Sequence, residues 1–144
     1  MKDLHNKIEV VQLLAPVSVT ATGSITDIDL AGWNSAELII DIGADSGTGL
    51  SATDYWTFTL KDSPDGTTYT AVADADMLGV TGITAGAILT VDSTDEDNTL
   101  YHFGYVGGKR YLELTYTETT TGSNTTLMSV TLVKGNPQDA PVIA

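Results

Sequence analysis

The segment from Gly104 to Tyr116 constrains the fold more than any other stretch, because apolar and polar residues alternate on both sides of Gly107-Gly108. Upstream, Tyr101, Phe103 and Tyr105 share one face and His102 and Gly104 the other; downstream, Leu112, Leu114 and Tyr116 oppose Tyr111, Glu113 and Thr115. Successive side chains of a strand point to opposite sides, so this pattern predicts two strands joined by a tight glycine turn, a β-hairpin.

The same period recurs along the chain. After Pro16, Val17 and Val19 alternate with Ser18 and Thr20, and Gly23-Ser24 leads into a strand near Ile25 to Leu30, which predicts a short first hairpin. Ala36, Leu38, Ile40 and Ile42 mark a strand opened by Trp33 and closed by the Gly- and Ser-rich loop 43–49. Trp56, Phe58 and Leu60 alternate with Tyr55, Thr57, Thr59 and Lys61, so Trp56 is expected in the core. Ser63-Pro64-Asp65-Gly66 has the residues of a tight turn, after which Thr68 to Val72 is expected to fold back on Trp56. Asp74 to Leu78 fits a brief helical turn, Ile88 to Val91 a strand, and Leu127 to Lys134 the last strand.

About eight or nine short strands separated by turn signals predict an all-β fold, an antiparallel β-sandwich or a jelly roll. Three regions are expected: an N-terminal arm over 1–15, a β-sandwich domain over 16–134 and a C-terminal tail over 135–144. Within the arm, Leu4, Ile8 and Val11 have helical spacing, whereas Ile8, Val10 and Gln12 fit a strand equally well. The tail carries Pro137 and Pro141, and proline cannot donate to a sheet ladder.

Composition narrows the function classes. A chain of 144 residues is the size of one domain with one core. It has no cysteine, hence no disulfide, thiolate nucleophile or thiolate zinc site. Its net charge of −13 repels phosphate backbones and anionic lipid, and Lys109-Arg110 is its only adjacent basic pair. Neither nucleic acid nor membrane is therefore an expected partner. Glu9 and Gln12 interrupt any signal-peptide core, and no apolar run reaches membrane-spanning length.

No catalytic constellation stands out. His5 and His102 have no neighbouring motif, and Gly43-Ala44-Asp45-Ser46-Gly47 misplaces its serine for a nucleophile elbow. Asp92, Asp95, Glu96 and Asp97 offer hard oxygens for calcium but lack EF-hand spacing, so a solvated acidic turn is expected. Trp33, Tyr55, Trp56 and Tyr69 could form a sugar platform, although Trp56 is in phase with core residues. Asp41, Asp54 and Glu113 are available for glycan hydrolysis, yet no spacing singles out a pair. Asn124-Thr125-Thr126 matches a glycosylation acceptor. The chain is read as no enzyme, with no cofactor and no metal.

Several segments, in order, resemble a family. Leu4-His5-Asn6-Lys7-Ile8 with Ala15-Pro16, then Asp29-Leu30-Ala31-Gly32-Trp33-Asn34-Ser35-Ala36, look like small virion proteins encoded beside the major capsid gene in tailed phages and prophages. Ser63 to Val72 with Ala73 to Gly79, then Gly104 to Tyr111, and finally Gly135-Asn136-Pro137 with Ala140-Pro141-Val142 extend the resemblance over nearly the whole chain. It implies a structural protein of the phage head: a decoration or cement protein on the outer surface of the capsid, made in the host bacterial cytoplasm and bridging subunits of the major capsid protein. The family supplies no catalytic residues. A homo-oligomer is expected, a trimer fitting capsid threefold positions. Leu4, Ile8, Val11 and Leu14 are the expected partner-binding residues, buried against the sandwich or against a partner. The alternatives are a carbohydrate-binding or adhesive module on the virion and a head-tail connector or tail component.

Overall fold

A computed structural model describes residues 3–139. Ten strands form two antiparallel sheets: β1 (Ile8–Val19), β2 (Gly23–Asp29), β3 (Trp33–Asp45), β4 (Tyr55–Ser63), β5 (Thr70–Ala71), β6 (Met77–Leu78), β7 (Ala87–Val91), β8 (Thr99–Tyr105), β9 (Tyr111–Thr119) and β10 (Thr126–Pro137). One sheet has the order β1-β10-β3-β8-β6. The other runs β2-β9-β4-β5, with β7 also on β4.

The pairings are nested. β1 pairs β10, β2 pairs β9, β3 pairs β8 and β4 pairs β7, so the chain forms a double strip folded at its middle. The strip is then wound so that β10 also pairs β3 and β9 also pairs β4. This is the jelly-roll winding, the second of the two architectures the strand pattern allowed. Among the described strands, only the β4–β5 connection stays within one sheet.

That winding corrects the hairpin expected at Gly107-Gly108. β8 and β9 lie in different sheets, and residues 106–110 carry the chain across the sandwich. The glycines serve the crossing: a Cβ on Gly107 would stand 2.7 Å from the Tyr105 ring, and Gly108 has φ +70°. β1 and β2 are likewise split between sheets, so the expected first hairpin is also a crossing. The turn at Ser63 to Gly66 does fold the chain back, but β5 meets Lys61 and Asp62, whereas Trp56 lies opposite Val91 and Glu118. The brief helical turn is present as a 3₁₀ turn over Asp74–Asp76.

The core follows the alternation. Trp56, Phe58 and Leu60 of β4, Leu112 and Leu114 of β9, Ile40 and Ile42 of β3, and Met128, Val130 and Leu132 of β10 are buried in one cluster. Full burial of such a side chain stabilises by roughly 1.5–3 kcal/mol. One polar relay crosses this core: Trp56 Nε1 donates to Thr126 Oγ1 at 2.8 Å, and Thr126 Oγ1 donates to Asp45 Oδ1 at 2.8 Å. It joins β4 of one sheet to β10 and β3 of the other.

The expected region boundaries fall inside strands. The arm's boundary at 15/16 lies within β1, where Pro16 is tolerated because an edge strand has one unpaired side and β1 is bulged between Leu14 and Val17. The tail's start at Gly135 lies within β10: Gly135 pairs both Ile8 and Ser35, and Pro137 pairs Trp33. β1 ends opposite Gly135, so Pro137 has a strand on one side only. Pro141 falls outside the described residues.

Two outcomes follow from this architecture. Deleting residues 1–7 leaves the melting transition intact, whereas deleting 1–14 removes Val11 and Leu14 from their packing on the core and costs at least about 3 kcal/mol in urea unfolding. Ala85, exposed and at φ +52° in a turn where Ala87 N donates to Thr84 O, sits where glycine or asparagine is favoured. Ala85→Gly should raise stability by about 1 kcal/mol in the same assay.

Candidate functional site

The two ends of the sandwich have different chemistry. At the end where β3 begins, the β2–β3 turn, the 106–110 crossing and the end of β10 enclose a cleft of about 430 Å³. Trp33, Asn34, Tyr105, Lys109, Arg110 and Gln138 are among its lining residues. Each cation there is already engaged. Arg110 makes a two-pronged contact with Asp29 at 2.8 and 2.7 Å, and this guanidinium, first among the causes, holds the Asp29 carboxyl down at about 2. Lys109 Nζ donates to Asp62 Oδ1 at 2.7 Å, while Tyr105 OH donates to Asp62 Oδ2 at 2.8 Å. Burial first, then the Asp62 contact, pushes the Tyr105 phenol well above its ordinary range. Lys134 lies over the Trp33 ring at 5.8 Å and pairs with Glu9. These contacts fasten the crossing to both sheets.

At the other end, carboxylates tie loops. Asp54 Oδ1 accepts from Thr120 Oγ1 at 2.7 Å and from Thr121 N at 2.7 Å, and its Oδ2 accepts from Thr53 Oγ1 at 2.9 Å. The Thr120 hydroxyl first, then the Thr121 N–H, holds the Asp54 carboxyl far below the usual range. Asp45 accepts from Gly47 N, Gly49 N and Thr125 N, so the segment with the serine among glycines is a carboxylate-capped loop. The acidic loop is similarly self-tied: Glu96 accepts from Asp92 N and Asp97 from Asp45 N. Among the described residues, no three His, Asp or Glu side chains converge as metal ligands.

The sequence-nominated groups are dispersed. Trp56 is in the core, Trp33 borders the cleft, Tyr55 points out of the β4 sheet, and Tyr69 OH donates to Asp27 at 3.3 Å, so the four aromatics form no platform. Asp41 is on the outer face of β3, Asp54 is a loop tie, and Glu113 pairs Lys61 at 2.9 Å on the other sheet, so no carboxylate pair flanks a groove. Asn124, the glycosylation match, is fully buried, and its Nδ2 has no hydrogen-bond partner.

Of the expected partner-binding residues, Leu4 is 65% exposed and Ile8 half-buried, while Val11 and Leu14 pack against the core. The exposed large apolar side chains of this strand are Val10, at 60%, and Val17, at 43%. The bulge after Gln12 brings Leu14 to the inward side beside Val11, a shift that nothing in the sequence alone sets. Among the described residues, no helix is long and apolar enough to cross a membrane.

No family model and no curated protein matches the chain. Among solved structures, it is similar to a protein of the disulfide-linked pili of Bacillus endospore appendages, with 14% identity, 94% of this chain and 96% of that chain covered, and a TM-score of 0.37. It is also similar to the VP2 subviral particle of infectious bursal disease virus, with 15% identity, 92% of this chain covered and a TM-score of 0.32; the chain spans 42% of that VP2 chain. Scores this low carry no argument about what the chain does.

The loop ties predict an acid response. A carboxyl depressed in the folded state stabilises above its unfolded value, near about 4, and that contribution drains as pH falls through the lower folded value. Asp29, Asp54, Asp65 and Asp74 are all depressed. The melting temperature should therefore hold from neutrality down to about pH 4 and fall steeply below it, and Asp54→Asn should melt lower at pH 7 with a shallower acid decline.

Proposed function

We propose that this chain is a structural protein of a tailed-phage virion, a decoration protein bound to the outer surface of the head and bridging subunits of the major capsid protein. One structural observation supports the reading: Asp54 is tied to a loop, Glu113 is paired with Lys61 and Asp41 lies on the outer face of the other sheet, an arrangement that suits a protein working through its surfaces. The ordered sequence segments that resemble virion proteins support the same reading. So does the jelly roll, whose two packed sheets give a stiff body for bridging neighbours.

In this reading the protein is no enzyme and needs no cofactor or metal. It acts as a homo-oligomer, a trimer suiting threefold lattice positions, and many identical contacts along a lattice make modest affinity per site sufficient. Its net charge of −13 keeps it off nucleic acid and anionic membrane. A second reading, a carbohydrate-binding or adhesive module, is favoured by one feature, the cleft bordered by Trp33.

Quantitative mass spectrometry on purified particles, with heads separated from tails, tests the proposal. A copy number comparable to that of the major capsid subunit in the head fraction is the expected result. A handful of copies would make it a connector or tail component. Absence from particles, with glycan binding lost on Trp33→Ala, would install the adhesive reading.

A further inference from the structure

The two outer faces of the sandwich differ in kind. On the β2-β9-β4 side, the residues that alternate with the core are Tyr55, Thr57, Thr59 and Lys61 of β4 and Tyr111, Glu113, Thr115 and Thr117 of β9. Hydroxyls and one ion pair are what a solvated antiparallel face presents. On the β1-β10-β3-β8-β6 side the corresponding positions, which alternate with buried Leu38, Ile40, Val130, Leu132 and Phe103, include Val10, Ile39, Leu78, Leu100, Leu127 and Val133.

These residues are adjacent by register. Val10 lies opposite Val133, Ile39 opposite both Thr131 and His102, and Leu78 opposite Gly104, which has no side chain to cover it. Val10, Leu78 and Leu100 are 60%, 59% and 58% exposed. Scattered exposed apolar residues are ordinary, but apolar positions on all five strands of one face mark a surface that something covers.

Charge narrows what covers it. Glu37 and Asp41 stand among the apolar positions, opposite Val133 and Leu100; Glu37 Oε1 meets His102 Nδ1 of the same face at 2.6 Å, which leaves Asp41 as the carboxylate with no cation beside it in register. Lys61, Lys109, Arg110 and Lys134 are each held by a carboxylate, so they do not offset this acidity. On this face a second copy would set Glu37 and Asp41 against an equally acidic surface. Resting on the capsid reading above, we propose that the outer face of the β1-β10-β3-β8-β6 sheet is the side laid on the partner, against a protein surface with an apolar centre and Lys and Arg at its rim.

The cysteine-free sequence lets single thiols report on each face. Leu100→Cys and Thr117→Cys place one label on each outer face, and both proteins are added to purified heads that lack this chain. On heads, Leu100→Cys should react with maleimide at least about tenfold more slowly than when free, with Thr117→Cys unchanged. The double variant Val10→Ser, Leu100→Ser should bind heads about tenfold or more weakly while keeping its melting temperature, and raising salt from about 0.05 M to about 0.5 M should slow association about tenfold. Protection of Thr117→Cys without Leu100→Cys, or association indifferent to salt, overturns this inference and leaves the capsid reading standing if the unsubstituted protein sediments with heads. Protection of Leu100→Cys in the concentrated free protein assigns the face to a second copy and overturns it too. Failure of the unsubstituted protein to sediment with heads overturns the capsid reading itself, and this docking face with it.

Discussion

Everything in this molecule depends on the last strand lying between the first and the third. β10 pairs β1 along one side and β3 along the other, so the sheet that holds Val130 and Leu132 does not exist until residues 126–137 arrive. Until then β1 and β3 are bare edges, and the apolar faces of β4 and β9 have nothing opposite them. The dominance of pairings between residues far apart in sequence predicts slow folding, because loop closure is costly before the contacts that reward it form. It also makes the fold cooperative: the Trp56–Thr126–Asp45 relay joins both sheets only when β3, β4 and β10 are all in place.

Polar chemistry in this protein serves the connections. A jelly roll sends nearly every loop across the sandwich, and each crossing carries backbone groups that need partners. Tyr105 answers this at one end, its hydroxyl accepting from Lys109 N and donating to buried Asp62, and Asp54 and Asp45 answer it at the other by accepting from the loop amides of Thr121 and Thr125. Such charge-assisted bonds are strong because the carboxylate is ionised and the donors are fixed in place. The residue types that elsewhere would nominate an active site, an aspartate with a tyrosine and a lysine, here fasten a chain crossing.

In the proposed reading, function rests on surface. One outer face is a lawn of threonines in which side chain and solvent suit each other, and the other mixes valine, leucine and isoleucine with acidic residues. An isolated domain gains nothing from that second face, whereas an assembly protein gains contact area from the apolar positions and orientation from the charges. In the proposed reading, this asymmetry and the resemblance of the sequence segments to virion proteins are two separate supports for a protein that works by covering something.

The sequence by itself determined the class of fold and the inward faces. Alternation is a local property, so Trp56, Phe58, Leu60, Leu112 and Leu114 were legible as core wherever their strands ended up. The turn at Ser63 to Gly66 was legible for the same reason, since its conformation is set within four residues. Only the tertiary structure decided which strands pair. Gly107-Gly108 has the composition of a hairpin turn but makes a crossing, because the partner of β8 is β3 and that of β9 is β4, chosen by burial of faces far away in sequence. It decided the candidate surface as well. The bulge after Gln12 puts Leu14 on the same inward side as Val11, and Leu100 and Leu78 join Val10 on one face only because β8 and β6 extend the sheet that β1 begins. Period two tells a residue which side of its own strand it is on; which side of the molecule that becomes is set by the winding.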